Sequence, residues 1–147
     1  MKFKLIFLAL LFSMCSNVTQ EASKEIRVVS LSTTHTEIIQ SLEAEETLIA
    51  VDSFSEVDFP VEVIDAYTVT AEELAPLNPD VVILAFDFNG IVEGLENQEI
   101  NYVLLPPAKN FEDVYSQIET IGSIVNKESE AFSTTRDMKI EINRILD

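Results

Sequence analysis

Thr70-Ala71-Glu72-Glu73-Leu74-Ala75-Pro76-Leu77-Asn78-Pro79-Asp80-Val81-Val82-Ile83-Leu84-Ala85 holds a helix start and a buried strand within one short stretch. Thr70 and Glu73 stand at capping-box spacing, which satisfies free amides at a helix N-terminus, and Leu74 and Leu77 follow as its apolar positions. Val81-Val82-Ile83-Leu84-Ala85 is a continuous β-branched and apolar run behind a proline, as a strand buried on both faces reads. Working outward, similar runs stand at Arg27-Val28-Val29-Ser30-Leu31, Leu48-Ile49-Ala50-Val51 and Tyr102-Val103-Leu104-Leu105. Thr34-His35-Thr36-Glu37 repeats the capping spacing ahead of Ile38, Ile39 and Leu42. Strands alternating with helices predict an α/β fold: a parallel sheet with helices on both faces, one Rossmann-like lobe. In the last third, Asn110 is placed to cap a helix with Phe111, Val114, Tyr115, Ile118, Ile121 and Val125 on one face, broken at Asn126-Lys127. A second helix carries Ala131, Phe132, Met138, Ile142, Ile145 and Leu146 and reaches Asp147 without Gly, Pro or cap. It is expected to be the truncated start of a longer helix.

Composition narrows the function. The 147 residues carry 9 Lys plus Arg against 26 Asp plus Glu, a formal net charge of −17. Such a surface repels phosphate backbones, so nucleic acid is not an expected partner. A 47% hydrophobic content argues against a disordered acidic tail. Only 3 glycines are present, which leaves no phosphate-cradling loop and disfavours nucleotide enzymes. Lys2 and Lys4 precede the apolar run from Leu5 to Phe12, the length of a secretory h-region and too short to span a bilayer. Residues 1–14 are therefore expected to be a signal peptide and 15–24 a tether. Residues 25–126 form the lobe and 127–147 the beginning of the terminal helix. The single cysteine, Cys15, sits at the cleavage boundary in a setting that resembles a bacterial lipobox, so lipidation at Cys15 and a membrane anchor are expected. Met14 and Phe12 depart from the usual lipobox residues.

Two blocks and a dipeptide carry a further resemblance. Arg27-Val28-Val29-Ser30-Leu31-Ser32 followed by Thr36-Glu37-Ile38-Ile39 resembles the opening "RVVSLSPSxTEIL" of substrate-binding proteins of ABC importers. The class in question is the helical-backbone one, which captures cobalamin, haem and ferric siderophores. Glu72-Glu73-Leu74-Ala75-Pro76-Leu77-Asn78-Pro79-Asp80-Val81-Val82-Ile83 is similar to its "LEKILALKPDLVI", and Phe59-Pro60 stands where the class has Tyr-Pro. The resemblance runs from Arg27 to Asp147. Where the class has Leu-Gly-Ala-Gly this chain has Leu42-Glu43-Ala44-Glu45, and where it has Gly-Gly this chain has Ile64-Asp65-Ala66-Tyr67. Residues with a Cβ are penalised at left-handed positions, so the local turns are expected to differ. The class joins two lobes by a long spine helix, and the chain reads as one lobe ending within that spine.

The resemblance implies a cleft at the carboxyl ends of the strands. Residue by residue it points to Ser32, Thr33 and Thr34 after the first strand, Phe54 after the second, Tyr67 before the Thr70-capped helix, and Phe86 and Phe88 after the third apolar strand. Thr34 has an equal reading as a helix cap, and each aromatic alone has a reading as core. Together the rings would stack on a flat or apolar ligand. Glu72 corresponds to an acidic residue that pairs with permease arginines in relatives, and also suits a helix N-terminus. His35 with Glu37 offers two metal-ligand types, but the chain has 1 His and 1 Cys, too few for a zinc site, and a histidine in a first turn is expected to be solvated or capping. No catalytic residues, cofactor or metal site are expected. Adjacent acid pairs such as Glu45-Glu46 read as solvated surface. The leading expectation is a non-catalytic, extracytoplasmic lobe of an ABC importer's binding protein. Its partners would be an ABC permease and a metal-chelate or tetrapyrrole ligand. The alternative is a stand-alone, surface-anchored docking module without ligand binding.

Overall fold

The computed structural model describes residues 25–146. The signal peptide (1–14), Cys15 and the tether (15–24) lie outside the described residues. The elements follow in the order β1 (Val28–Leu31), α1 (Thr33–Ser41), β2 (Leu48–Asp52), β3 (Glu62–Ile64), α2 (Ala71–Leu74), β4 (Val81–Leu84), α3 (Ile91–Asn97), β5 (Tyr102–Leu104), α4 (Phe111–Ile124) and α5 (Glu128–Leu146). The strands form one 5-stranded sheet in the order β3-β2-β1-β4-β5. Every pairing is parallel, with Val28 through Leu31 opposite Val81 through Leu84 at the centre.

Side chains alternate across the central strands and feed two cores. Val28, Val81 and Ile83 pack with Ile39 of α1 and Leu42 just after it, Ile118 and Ile121 of α4, and Ala131 of α5. Val29, Leu31, Val82 and Leu84 pack on the other face with Ala71 and Leu74 of α2 and Ile91 and Leu95 of α3. Helices therefore cover both faces, and this double burial is why β1 and β4 read as unbroken apolar runs. In β2 the partners of Val28 and Val29 are Leu48 and Ala50, which skips Ile49 and lets Leu48 and Val51 serve one core while Ala50 serves the other.

The Thr70 capping box is present: the Thr70 hydroxyl accepts from the Glu73 amide, and the Glu73 carboxylate accepts from the Thr70 amide at 2.9 Å. Asn110 likewise caps α4, accepting from the Asp113 amide at 2.9 Å. Asn126, at φ 57, ends that helix in the left-handed region and turns the chain into α5. At the opposite end of the sheet Arg27 binds the loop ahead of β4. Its amide donates to Asp80 Oδ2 at 2.9 Å, and its guanidinium donates to the Leu77 and Asn78 carbonyls at 2.8 and 3.1 Å.

Several expectations need correction. The first helix is not capped by Thr34: it begins at Thr33 after Ser32, no side-chain cap bond is made, and Thr34 lies exposed within its first turn. His35 is neither solvated nor capping; it is 2% exposed, because α1 packs that side against the sheet. Phe111 and Phe132 do not join their helices' buried stripes and remain 57% and 64% exposed. Ile145 and Leu146 are exposed as well. The short edge strand β3 and the helix α3 had no counterpart in the apolar pattern. An outer strand with exposed Glu62 and Val63 shows no buried run. Helix α3 carries Gly94, where a Cβ would stand 2.9 Å from the Ala71 Cβ, so close contact with α2 requires a residue of low helix propensity. Of the two departures in glycine, Glu43 does enter the left-handed region (φ 54), whereas residues 64–67 show no positive φ and need no glycine.

Candidate functional site

The chain runs from β1 outward through β2 to β3, then crosses to the other side of β1 for β4 and β5. The reversal lies between β1 and β4, and loops leaving such a point diverge, opening a crevice at the carboxyl ends of the strands. A cleft of about 240 Å³ occupies this place. Ser32 lines it from the turn after β1, Thr33 and Thr34 from the first turn of α1, Phe54 from the β2 loop, Tyr67 from the β3 loop, and Phe86 and Phe88 from the β4 loop. All the residues singled out for ligand contact thus meet in one cleft. Glu72 is not among its lining residues; it stands exposed in the first turn of α2.

The aromatic side chains touch in sequence. Phe54 meets Tyr67 edge-on with centroids 6.2 Å apart, Tyr67 lies 4.6 Å from Phe88, and Phe88 lies 5.3 Å from Phe86. Phe54 is 67% exposed and Tyr67 53%, so much of this apolar surface faces solvent in the isolated chain. Rings held in mutual contact and left open present a preformed wall for an apolar or planar ligand.

Two residues that sequence reasoning did not single out hold the loops together. Asp52 ends β2, is 5% exposed and also lines the cleft. One of its oxygens accepts from the Ala66 amide at 3.3 Å; the other accepts from the Phe54 amide and the Thr33 hydroxyl, each at 3.4 Å. It therefore joins the start of α1 to the loops after β2 and β3. Asn89 (φ 53) donates from its side chain to the Tyr67 carbonyl at 2.6 Å, tying the β4 loop to the β3 loop. An aspartate closing a strand and an asparagine beside a glycine are weak signals alone, since their partners lie 14 and 22 residues away.

Behind the cleft, Thr36 donates to Ser30 Oγ at 2.9 Å and accepts from Ser55 Oγ at 3.1 Å, so it is engaged within the protein. His35 Nδ1 is buried without a partner. Burial holds the His35 pKa down at about 4, partly opposed by a hydrogen bond to the Leu105 backbone. Among the described residues no group of three or more His, Cys, Asp or Glu side chains is placed to hold a metal ion. No described helix is long and apolar enough to cross a membrane.

Comparison with known proteins agrees with this geometry. Residues 28–146 match the family model for periplasmic binding proteins. No curated protein matches the sequence. Among solved structures, a protein of Staphylococcus epidermidis described as a possible iron-binding, periplasmic solute-binding protein is 22% identical, with a TM-score of 0.70 over 84% of this chain and 51% of its own. The periplasmic heme binding protein HutB of Vibrio cholerae is 25% identical, with a TM-score of 0.70 over 82% of this chain and 49% of its own. An ABC-type Fe3+-hydroxamate transport system protein of Saccharomonospora viridis is 19% identical, with a TM-score of 0.62 over 82% and 49%. The chain spans about half the length of these solved relatives. The family match covers most of the chain, which belongs to the periplasmic binding protein family.

Proposed function

We propose that this member of the periplasmic binding protein family supplies one lobe of the extracytoplasmic substrate-binding component of an ABC importer, and that its cleft receives a metal chelate or tetrapyrrole. The observation that carries the reading is the convergence of Phe54, Tyr67, Phe86 and Phe88 on one open cleft at the strand-order reversal. Relatives of similar fold are described as a heme binding protein and as part of an Fe3+-hydroxamate transport system. The lobe acts by capture and release, without a chemical step. A ligand resting on this wall leaves its opposite side in water, so one lobe alone binds it weakly.

Two further parts of the proposal concern placement. Glu72 stands exposed at the start of α2, where it is free to meet arginines of an ABC permease. Export through residues 1–14 and acylation of Cys15 would tether the lobe to the membrane. One acyl chain holds only marginally, so stable anchoring needs more than one.

The test is titration of the ¹⁵N-labelled chain with gallium protoporphyrin and gallium desferrioxamine B, both diamagnetic. Saturable amide shifts at Ser32, Thr33, Thr34, Phe54, Tyr67, Phe86 and Phe88 are expected for at least one probe. Shifts confined elsewhere, or none with either probe, would sink the reading. Intact mass measurement on the membrane fraction tests Cys15 separately, and an unmodified thiol on exported protein removes the anchor.

A further inference from the structure

We propose that the cleft selects ligands by charge and favours a cation, specifically a chelate carrying an exposed ammonium or quaternary nitrogen. This inference rests on the reading of the cleft as a ligand site and adds the sign of the ligand's charge.

Three observations converge. First, Asp52 puts a carboxylate, 5% exposed, among the residues lining the cleft. Its hydrogen bonds are 3.3 Å to Ala66 and 3.4 Å to Phe54 and Thr33, all longer than strong N–H···O or O–H···O bonds. A carboxylate has about four acceptor sites, so Asp52 keeps capacity for a further donor. Second, Phe54, Tyr67, Phe86 and Phe88 line the same cleft, and aromatic ring faces are electron-rich and attract cations. Third, no Lys, Arg or His lines the cleft among the described residues. Asp65, which accepts from the Tyr67 amide at 2.9 Å, and Asp87, which accepts from the Val92 amide at 3.0 Å, add negative charge on the same loops. The formal net charge of −17 gives the approach the same sign.

An anionic group entering this cleft is repelled by Asp52 and finds positive potential only at the start of α1, where Ser32 makes no side-chain cap bond and the Asp52 carboxylate already accepts from Thr33. A cation meets ring faces and a carboxylate with spare acceptor capacity. Aromatic walls around an acidic floor are a known solution for ammonium and quaternary nitrogen recognition.

The discriminating measurement compares two ligands that share one chelate and differ at a single terminus, charged in one and neutral in the other. Gallium desferrioxamine B carries a free ammonium, and its N-acetylated derivative is the same chelate without it. Dissociation constants come from amide shifts of the wild-type chain at low and physiological salt. The ammonium form is expected to bind about three- to tenfold tighter, with the difference shrinking as salt rises. Equal affinity, or tighter binding of the acetylated form, overturns charge selection while leaving the cleft as a ligand site. Asp52→Asn should bring the two affinities together; a preference that survives in a folded Asp52→Asn chain also overturns the proposal. Should that variant not fold, Phe86→Leu, at a half-exposed ring, should reduce the preference, and an unchanged ratio counts against it. If no probe moves any cleft residue, the ligand-site reading fails and this inference fails with it.

Discussion

The Arg27 amide donates to Asp80 Oδ2 at 2.9 Å, and the Asp80 amide returns a bond to the Arg27 carbonyl at 2.8 Å. The two stretches that most resemble the family's motifs are therefore one structural unit, in which the start of β1 and the loop ahead of β4 are locked in register. Their fixed spacing sets the carboxyl ends of β1 and β4, and with them the rim of the cleft.

Arg27→Ala removes the guanidinium that serves the Leu77 and Asn78 carbonyls at 2.8 and 3.1 Å. Hydrogen bonds from charged groups contribute about 1.5–3 kcal/mol, and one of these two is solvent-exposed, so a loss of about 1.5–2 kcal/mol is expected. Urea unfolding should show a lower midpoint with an unchanged slope. A change below about 0.5 kcal/mol would mean that water replaces the arginine at both carbonyls.

Glu43 holds a left-handed backbone, φ 54, just after α1, at a position where the resemblance drawn from the sequence has glycine. Such a position strains a residue with a Cβ by about 1 kcal/mol or more, against which glycine's extra unfolded-state freedom must be set. Glu43→Gly should therefore stabilise the chain by about 0.5–1 kcal/mol. Glu45→Gly, at the second glycine of the Leu-Gly-Ala-Gly pattern but without a positive φ, should bring no such gain. Thermal unfolding of the two variants side by side decides between strain relief and a general effect of glycine.

What could be read from the sequence follows how local its physical cause is. The Thr70–Glu73 box is a reciprocal pair of bonds and the Asn110 cap a single bond, each within one turn, so residue spacing alone announces them. Val81 to Leu84 announces itself because burial on both faces demands an apolar residue at each position. Burial of His35 depends on how α1 meets the sheet, and no feature of Thr34-His35-Thr36 reveals it. Asp52 and Asn89 act through amides and carbonyls on other loops, whose identities leave no mark on sequence. The aromatic positions were found only through resemblance, since Phe54, Tyr67, Phe86 and Phe88 form no periodic pattern.

His35 makes stability depend on pH. Its pKa falls from 6.5 to about 4 on folding, chiefly because burial penalises the charged ring. Between those values the unfolded chain binds a proton that the folded chain refuses, so this contribution is full above about pH 6.5 and is lost as pH falls toward 4. The shift corresponds to about 3 kcal/mol. His35→Gln keeps a donor and cannot titrate. The difference in unfolding free energy between wild type and variant should grow in the variant's favour by that amount from pH 7 to pH 4. A constant difference would show that the ring titrates alike in both states.

The docking role of Glu72 needs a control that differs from it in placement alone, and the neighbouring Glu73 cannot serve. Its carboxylate accepts from the Thr70 amide at 2.9 Å and closes the capping box, so Glu73→Lys would lose a cap worth about 1 kcal/mol besides reversing a charge. Glu93 is the better comparison: it stands exposed in the first turn of α3 and takes part in no capping box. Both Glu72→Lys and Glu93→Lys give up a favourable charge at a helix start, which costs about 0.5–1 kcal/mol. If Glu72 faces arginines on the permease, its reversal adds like-charge repulsion at a closed contact and should abolish docking, with a strong dependence on salt in the wild type. Glu93→Lys should leave docking within about twofold. The measurement is binding of each variant to the permease in nanodiscs at low and high salt, alongside unfolding of each variant. Equal, mild losses for the two reversals would assign Glu72 to the start of its helix and place the permease contact elsewhere on the lobe.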